Sequence, residues 1–275
     1  MSRAAEQLDR LIEIMRRLRA PGGCPWDREQ DLASLRRYLV EETYEVLDAL
    51  DAAVDKGELK KGALRELPVE LGDLLFQIIF HAQLGQERGE FDMADVVQAI
   101  ADKIESRHPH VFGDQKFEST EAFLGAWAGF KEKERKAAGQ ENPSAIDGVP
   151  TAAPALLRAE RLTDKASKVG FDWKDWHGPR DKVTEELREL DEALAANDKA
   201  RIEDELGDLL FSLCNLARFT HTPAEDALRR TIRKFDRRFR HVESRLRAQG
   251  KKPSDVTLAE MDALWDEAKK LPSDR

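Results

Sequence analysis

The chain has 275 residues, of which 41% are hydrophobic and 36% charged, with a formal net charge of −9. That length holds one large domain or two ordinary ones. The acidic balance argues against direct DNA binding, which needs a basic surface. A nucleotide is still admissible, because a metal can neutralise phosphates beside carboxylates. Two cysteines, Cys24 and Cys214, lie far apart and in no metal-type spacing. A disulfide scaffold is therefore not expected, and the reducing cytoplasm is the natural compartment. The N-terminus begins without an apolar signal core, and runs such as Leu74-Leu75-Phe76 and Ile78-Ile79-Phe80 are far too short for a membrane span.

Apolar residues recur at helical spacing along almost the whole chain. Leu8, Leu11, Ile12, Met15 and Leu18 predict one helix, and Leu39, Val46, Leu47 and Leu50 a second. Leu71, Leu74, Leu75, Ile78 and Ile79 predict a third; Ile100 and Ile104 mark a fourth. Residues 136–154, with Asn142-Pro143, Asp147-Gly148, Pro150 and Pro154, read as a linker. No alternating run bounded by turn signals appears, so the expected class is all-α.

The chain also repeats itself. Glu-Leu-Gly-Asp-Leu-Leu-Phe stands at 70–76 and, unchanged, at 205–211. A Glu-Glu-x-x-Glu precedes each copy: Glu41, Glu42 and Glu45, then Glu185, Glu186 and Glu189. A basic pair follows each, Lys103 with Arg107 and Lys234 with Arg238, then His-Val and later a tryptophan, Trp127 or Trp265. The order is the same twice. The expected organisation is two copies of one helical bundle, residues 1–135 and 155–275, joined by 136–154. The first copy has a longer connection between its acidic helices, containing Lys56-Gly57, Lys60-Lys61-Gly62 and Pro68.

Residues three or four apart share a helix face. Glu186 and Glu189 point one way, and so do Glu205 and Asp208. Four carboxylates from two neighbouring helices can then converge, and their repulsion calls for a cation. An all-oxygen set selects Mg²⁺, with Mn²⁺ as substitute, over zinc or copper. A lone Glu-Glu-x-x-Glu is ordinarily a solvated face. Duplication strengthens the case, as does the position of Glu205 and Asp208 beside Leu206, Leu209, Leu210 and Phe211. Gly72 and Gly207 sit mid-helix at a cost of about 1 kcal/mol against alanine. They lead us to expect close approach of another helix or a ligand there.

Lys234 and Arg238 share a face and can hold phosphates, with Lys182, one turn before Glu186, as a third cation. Their helix is basic all round, through Arg229, Arg230, Arg233, Arg237 and Arg240, so any one of these cations is ordinarily surface. Trp265 offers a ring to a base, or simply packs. Glu105-x-x-His108 has the spacing of di-iron bundles. The second repeat carries Asp236 and Phe239 at those places, so the pair is incomplete. Neither a P-loop nor a Rossmann glycine pattern is present.

These features are joined by Gly23-Cys24-Pro25-Trp26-Asp27, Glu41-Glu42-Thr43-Tyr44-Glu45, Arg107-His108-Pro109-His110-Val111-Phe112 and Val169-Gly170-Phe171-Asp172-Trp173. With them the chain resembles, over nearly its whole length, the tandem-domain MazG members of the all-α nucleoside triphosphate pyrophosphohydrolases. The resemblance implies ATP-type substrates: Mg²⁺-dependent hydrolysis of NTPs and dNTPs to monophosphate and pyrophosphate. It also implies a homodimer of four-helix-bundle-like domains, with activity in the C-terminal one. Carried over, the metal ligands fall on Glu186, Glu189, Glu205 and Asp208, and the nucleotide contacts on Lys182, Glu185, Arg201, Lys234, Arg238 and Trp265. The family's residue at Arg201 is a lysine, so that contact departs from the pattern. Glu185 is the candidate for orienting or deprotonating the attacking water, and Lys182 for offsetting charge on the departing pyrophosphate. The first repeat keeps an acidic quartet, Glu42, Glu45, Glu70 and Asp73, as a candidate second metal site. It has Tyr38 where Lys182 stands in the second. The resemblance gives that domain a structural or regulatory role with at most weak activity. Two other readings stay open: a non-catalytic nucleotide- or protein-binding helical module, and a narrower dUTP-type pyrophosphatase.

Overall fold

A computed structural model of the chain describes residues 2–55, 58–59, 63–120, 122–123, 125–127, 129–130, 139 and 143–271. The chain divides into two compact units, Met1–Ala138 and Gly139–Arg275. Of the segments singled out above, Lys56-Gly57, Lys60-Lys61-Gly62 and Asn142 lie outside the described residues.

The first unit opens with α1 (Arg3–Arg19), whose N-terminus is capped by Ser2 accepting from the Ala5 amide at 3.3 Å. The chain turns back sharply. A Cβ on Gly23 would lie 2.2 Å from the Leu18 carbonyl oxygen, so only glycine permits this approach. Then come α2 (Pro25–Glu29) and α3 (Arg36–Ala53). After a 3₁₀ turn, Ala63–Arg65, follow α4 (Leu67–Glu87), α5 (Met93–Arg107) and the short α6 (Pro109–Phe112). Asp92 and Asp95 form a capping box at the start of α5. Between α3 and α4 lies an antiparallel pairing of β1 (Val54–Asp55) with β2 (Glu58–Leu59). Sequence pattern did not foresee it, because two residues per strand carry no readable period.

The α1 stripe expected from sequence supplies the core. Met15, Leu35, Ile79 and Phe80 are fully buried with Leu84, and Leu8, Leu11, Ile12, Tyr38, Leu75, Phe76 and Met93 pack against them. Each fully buried side chain contributes about 1.5–3 kcal/mol. Arg19 ties the end of α1 to α4 through Glu87 at 2.7 Å and donates to the Asp27 carbonyl.

The second unit has α7 (Ala155–Ser167), α8 (His177–Ala196), α9 (Lys199–Phe219), α10 (Ala224–Ala248), a 3₁₀ turn at Pro253–Asp255, and α11 (Leu258–Ala268). Glu160 of α7 accepts from the Ala224 amide at 3.0 Å and so caps α10 from outside it. Thr257 and Glu260 make a capping box for α11. Pro179, Ala193, Cys214, Val242, Leu246 and Ala268 are buried apolar residues of the second unit. The chain is all-α in tandem, as expected. Of the two expectations for the mid-helix glycines, the close-packed helix is corrected: apart from their own helix's backbone, no described atom lies within 4 Å of where a Cβ would sit on Gly72 or Gly207. No neighbouring helix of the described chain takes up that room.

Candidate active site

The second acidic site is set by a tight turn. Asn197 adopts the left-handed conformation (φ 53°), and Asp198 caps α9 by accepting from the Arg201 amide at 3.2 Å. This folds α8 and α9 into an antiparallel hairpin. Glu186 lies eleven residues before Asn197 and Asp208 eleven after; Glu189 and Glu205 each lie eight away. Equal offsets from the turn put acids of the two helices at the same level.

Carboxylate oxygens of Glu186, Glu205 and Asp208 come within 4.8 Å of one another. Glu186 is only 3% exposed. Two cations offset this charge. Lys182 Nζ sits 2.5 Å from Glu186 Oε1 and 3.0 Å from Glu185 Oε1. Arg201 Nε donates to Glu205 Oε1 at 3.2 Å while Nη2 reaches Glu192, also at 3.2 Å. Glu186 first, then Glu185, raise the Lys182 pKa, so this amine stays charged. Glu189, one turn along α8, stands outside the triad, with Oε1 3.4 Å from Arg188 Nη2. The donors are all oxygens, and a buried carboxylate already draws a cation. The residues present therefore fit a hard divalent ion.

A cavity of about 230 Å³ adjoins the acids. Lys182, Glu186 and Asp208 line its acidic part; Trp173, Pro179, Phe211, Ser212 and Asn215 line the rest. None of these last five was picked out as a site residue from sequence. The signal was available: Phe211, Ser212 and Asn215 follow Asp208 at three, four and seven residues, on one face of α9. Trp173 lies over Gly178, where a Cβ would meet the indole at 2.1 Å. Its loop is fastened by Asp172, whose carboxylate accepts from Arg218 at 2.5 and 2.9 Å. Arg218 holds the Asp172 pKa below the usual carboxylate value, against a partial offset from burial.

Lys234, Arg238 and Trp265 do not line the cavity. Arg238 of α10 and Trp265 of α11 meet each other, and Lys234 lies one turn before Arg238 on α10. The Arg238 guanidinium lies 5.6 Å from the Trp265 ring centre, and Phe235 packs 5.2 Å from it.

In the first unit Glu42, Glu45 and Glu70 bring oxygens within 4.8 Å of one another. Asp73 is outside that triad. The Glu42 pKa is raised, first by burial and then by Glu45, Asp73 and Glu70. Tyr38, in the place of Lys182, packs toward the core and against Trp26, ring centres 5.7 Å apart. His108 Nδ1 lies 2.7 Å from the Ile104 carbonyl, and the ring sits against Phe123 and Trp127. That local role agrees with an incomplete di-iron pattern.

Fold and site together define an all-helical protein built of two acidic-hairpin units. Residues 30–112 and 179–243 match the model of the MazG nucleotide pyrophosphohydrolase domain. The chain is 45% identical over 271 residues to the nucleoside triphosphate pyrophosphohydrolase of Escherichia coli K12, covering 98% of this chain and 99% of that one. It is 40% identical over 269 residues to the nucleoside triphosphate pyrophosphohydrolase/pyrophosphatase MazG of Thermotoga maritima, covering 98% of each. A Bacillus subtilis protein, YabN, is 40% identical over 257 residues, 93% of this chain and 50% of its own length. The chain belongs to the MazG nucleotide pyrophosphohydrolase family. Among the described residues no helix is long and apolar enough to cross a membrane.

Proposed function

We propose that this enzyme hydrolyses NTPs and dNTPs to the monophosphate and pyrophosphate at the site in its second unit. The observation that carries the reading is the convergence of Glu186, Glu205 and Asp208 within 4.8 Å, with Glu186 buried. Glu186, Glu189, Glu205 and Asp208 would hold Mg²⁺, or Mn²⁺ in its place. Glu189 lies one turn from Glu186 on the same face and would be the fourth ligand. When bound, the ion supplies positive charge that offsets the triphosphate beside these acids.

Lys182 stays protonated, and its ammonium is placed to pair with phosphate oxygens and with charge on the leaving pyrophosphate. Glu185, held by Lys182 at 3.0 Å, orients the attacking water or takes its proton. Arg201 keeps Glu205 in place and, being a cation near the acids, can reach the phosphates. Lys234, Arg238 and Trp265 are the further nucleotide contacts in this reading.

We also propose a homodimer. Leu206, Leu210, Phe211 and Leu213 of α9 and Ile232 and Phe235 of α10 are exposed in the single chain. Apolar area of that extent supports a self-association face. The reading places the enzyme in the cytoplasm, where Cys24 and Cys214 remain free thiols. The first unit has a structural or regulatory role.

The test is product analysis of purified protein with dATP and Mg²⁺. Equal amounts of dAMP and pyrophosphate are expected. Inorganic phosphate with dADP, and no pyrophosphate, would reject the reaction.

A further inference from the structure

A charged trio that the proposed reaction leaves unused fastens α11 to α10. His241 and Arg245 lie one turn apart on α10 and meet the same acceptor. His241 Nε2 stands 3.3 Å from Glu267 Oε1 of α11, and Arg245 Nε stands 3.3 Å from that oxygen as well. The His241 nitrogen is closed off from solvent. It is within ion-pair distance of the carboxylate but not aligned for a hydrogen bond to it. A lone pair there would face the acid, whereas a proton turns the contact into attraction. Ala268, next to Glu267, is 1% exposed, and Val242 and Leu246, each following one of the two basic residues, are as deeply buried. The trio therefore stands beside buried apolar side chains.

What the trio holds is the turn of α11 that carries Trp265, two residues before Glu267. The Trp265 ring lies 5.2 Å from Phe235 and 5.6 Å from the Arg238 guanidinium, both on α10. The internal repeat isolates the part played by the histidine. In the first unit Arg107 lies 5.4 Å from the Trp127 ring centre. The matching histidine, His110, packs on Phe117 at 5.4 Å and on Phe123 at 4.6 Å. An arginine over a tryptophan thus occurs in both units, with a histidine three residues further on against the tryptophan's segment. Rings give His110 a packing contact; a carboxylate gives His241 a contact whose strength follows its charge. The charged groups around His241 are Glu267 from α11 and, three or four positions away on α10 itself, Arg237, Arg238 and Arg245. Asp266 and Lys269 of the same turn pair with each other at 2.8 Å. Among the described residues no acid or base of α7 or α9 pairs with His241.

We infer that His241 is a positioning residue: with Arg245 it holds Glu267 and so sets where α11 places Trp265, more tightly when its ring is protonated than when it is neutral. Its effect on turnover rests on the reading of Trp265 as a nucleotide contact; the fastening itself does not. The direction follows from charge. Arg245 is cationic throughout, so in alkali it alone holds Glu267. As pH falls through the range in which imidazoles titrate, about pH 5–8, His241 adds a second positive charge and the fastening tightens.

The test is fluorine magnetic resonance of the full chain labelled with 5-fluorotryptophan, which reads the surroundings of Trp265 without turnover. The Trp265 line is the one lost in Trp265→Phe. In wild type it should move in a single step between about pH 5 and 8. His241→Gln should abolish the step, and so should Glu267→Gln, a change on the other helix. His241→Arg should hold the line near its acid position throughout, and Arg245→Met should enlarge the step. In pyrophosphate release from dATP, His241→Gln should raise KM about three- to fivefold at about pH 6 with kcat held, the scale of one partly exposed ion pair. The ratio to wild type should approach one at about pH 8.5, where the imidazole is neutral. His241→Arg should restore the acid-side KM. A Trp265 line that steps alike in wild type and His241→Gln, or stays still in wild type, would overturn the assignment. So would a His241→Gln defect of equal size at both pH values. If wild type released no pyrophosphate, the reaction would be rejected, while the Trp265 line would still decide the role of His241.

Discussion

Lys182 Nζ lies 2.5 Å from Glu186 Oε1, so a side-chain cation of the protein's own stands at the buried acid of the second cluster. In the first cluster Tyr38 occupies the corresponding position and packs inward. The two repeats share their acids but differ in what balances them. This difference underlies the expected division of labour between the units.

Loss of one carboxylate should separate the two sites. Glu205→Gln removes a member of the triad that also pairs with Arg201 at 3.2 Å. Pyrophosphate release should fall by about 100-fold or more, the scale of losing one preorganised electrostatic group. Glu70→Gln, the matching change in the first unit, should retain most activity. Steady-state assays of both variants check this; equal losses would contradict the assignment.

The first cluster should respond to pH in a definite direction. Burial, Glu45, Asp73 and Glu70 hold the Glu42 pKa above its ordinary value of 4.5. A carboxyl with a higher pKa folded than unfolded contributes stability below the unfolded value and loses it as pH rises through the folded value. Glu42→Gln should therefore stabilise the first unit at pH 7, by on the order of 0.5 kcal/mol, as expected for one relieved surface repulsion. The gain should vanish near pH 4. Urea unfolding at the two pH values measures it.

Asp172 should behave oppositely. The Arg218 guanidinium lowers its pKa, so its contribution is present above the unfolded value and is lost as pH falls through the lowered one. Asp172→Asn should cost about 1–2 kcal/mol at pH 7, the scale of a charge-assisted hydrogen bond. Wild type and variant should converge in strong acid. Denaturant midpoints across pH 2–7 would show this.

In the first unit's core, Phe80 is 1% exposed and meets Phe76 edge-on at 6.1 Å. Phe80→Ala should cost about 3–5 kcal/mol by lost burial and a residual cavity. Calorimetry should show the first unit's transition shifted down.

Much of this was legible in the sequence, for a physical reason in each case. The α1 stripe shows a helical period because one face is buried, and Met15 lies at its centre. The repeated Glu-Leu-Gly-Asp fixes where carboxylates can meet, because helix geometry is periodic and the turn at Asn197 is symmetric to them. Loop contacts were not legible. Trp173 reaches the cavity only because Asp172 pairs with Arg218, forty-six residues away, and no local pattern encodes that distance. The two-residue strands were too short to carry a period. The vacant space beside Gly207 could not be read either, since a mid-helix glycine marks room without saying what fills it.

The account depends on acids of α8 and α9 holding a divalent ion together. Mn²⁺ binding, followed by electron paramagnetic resonance, tests this without any need for turnover. Glu186→Gln, Glu205→Gln and Asp208→Asn combined should remove one class of bound Mn²⁺ relative to wild type. Identical Mn²⁺ stoichiometry and affinity in wild type and the triple variant would contradict it.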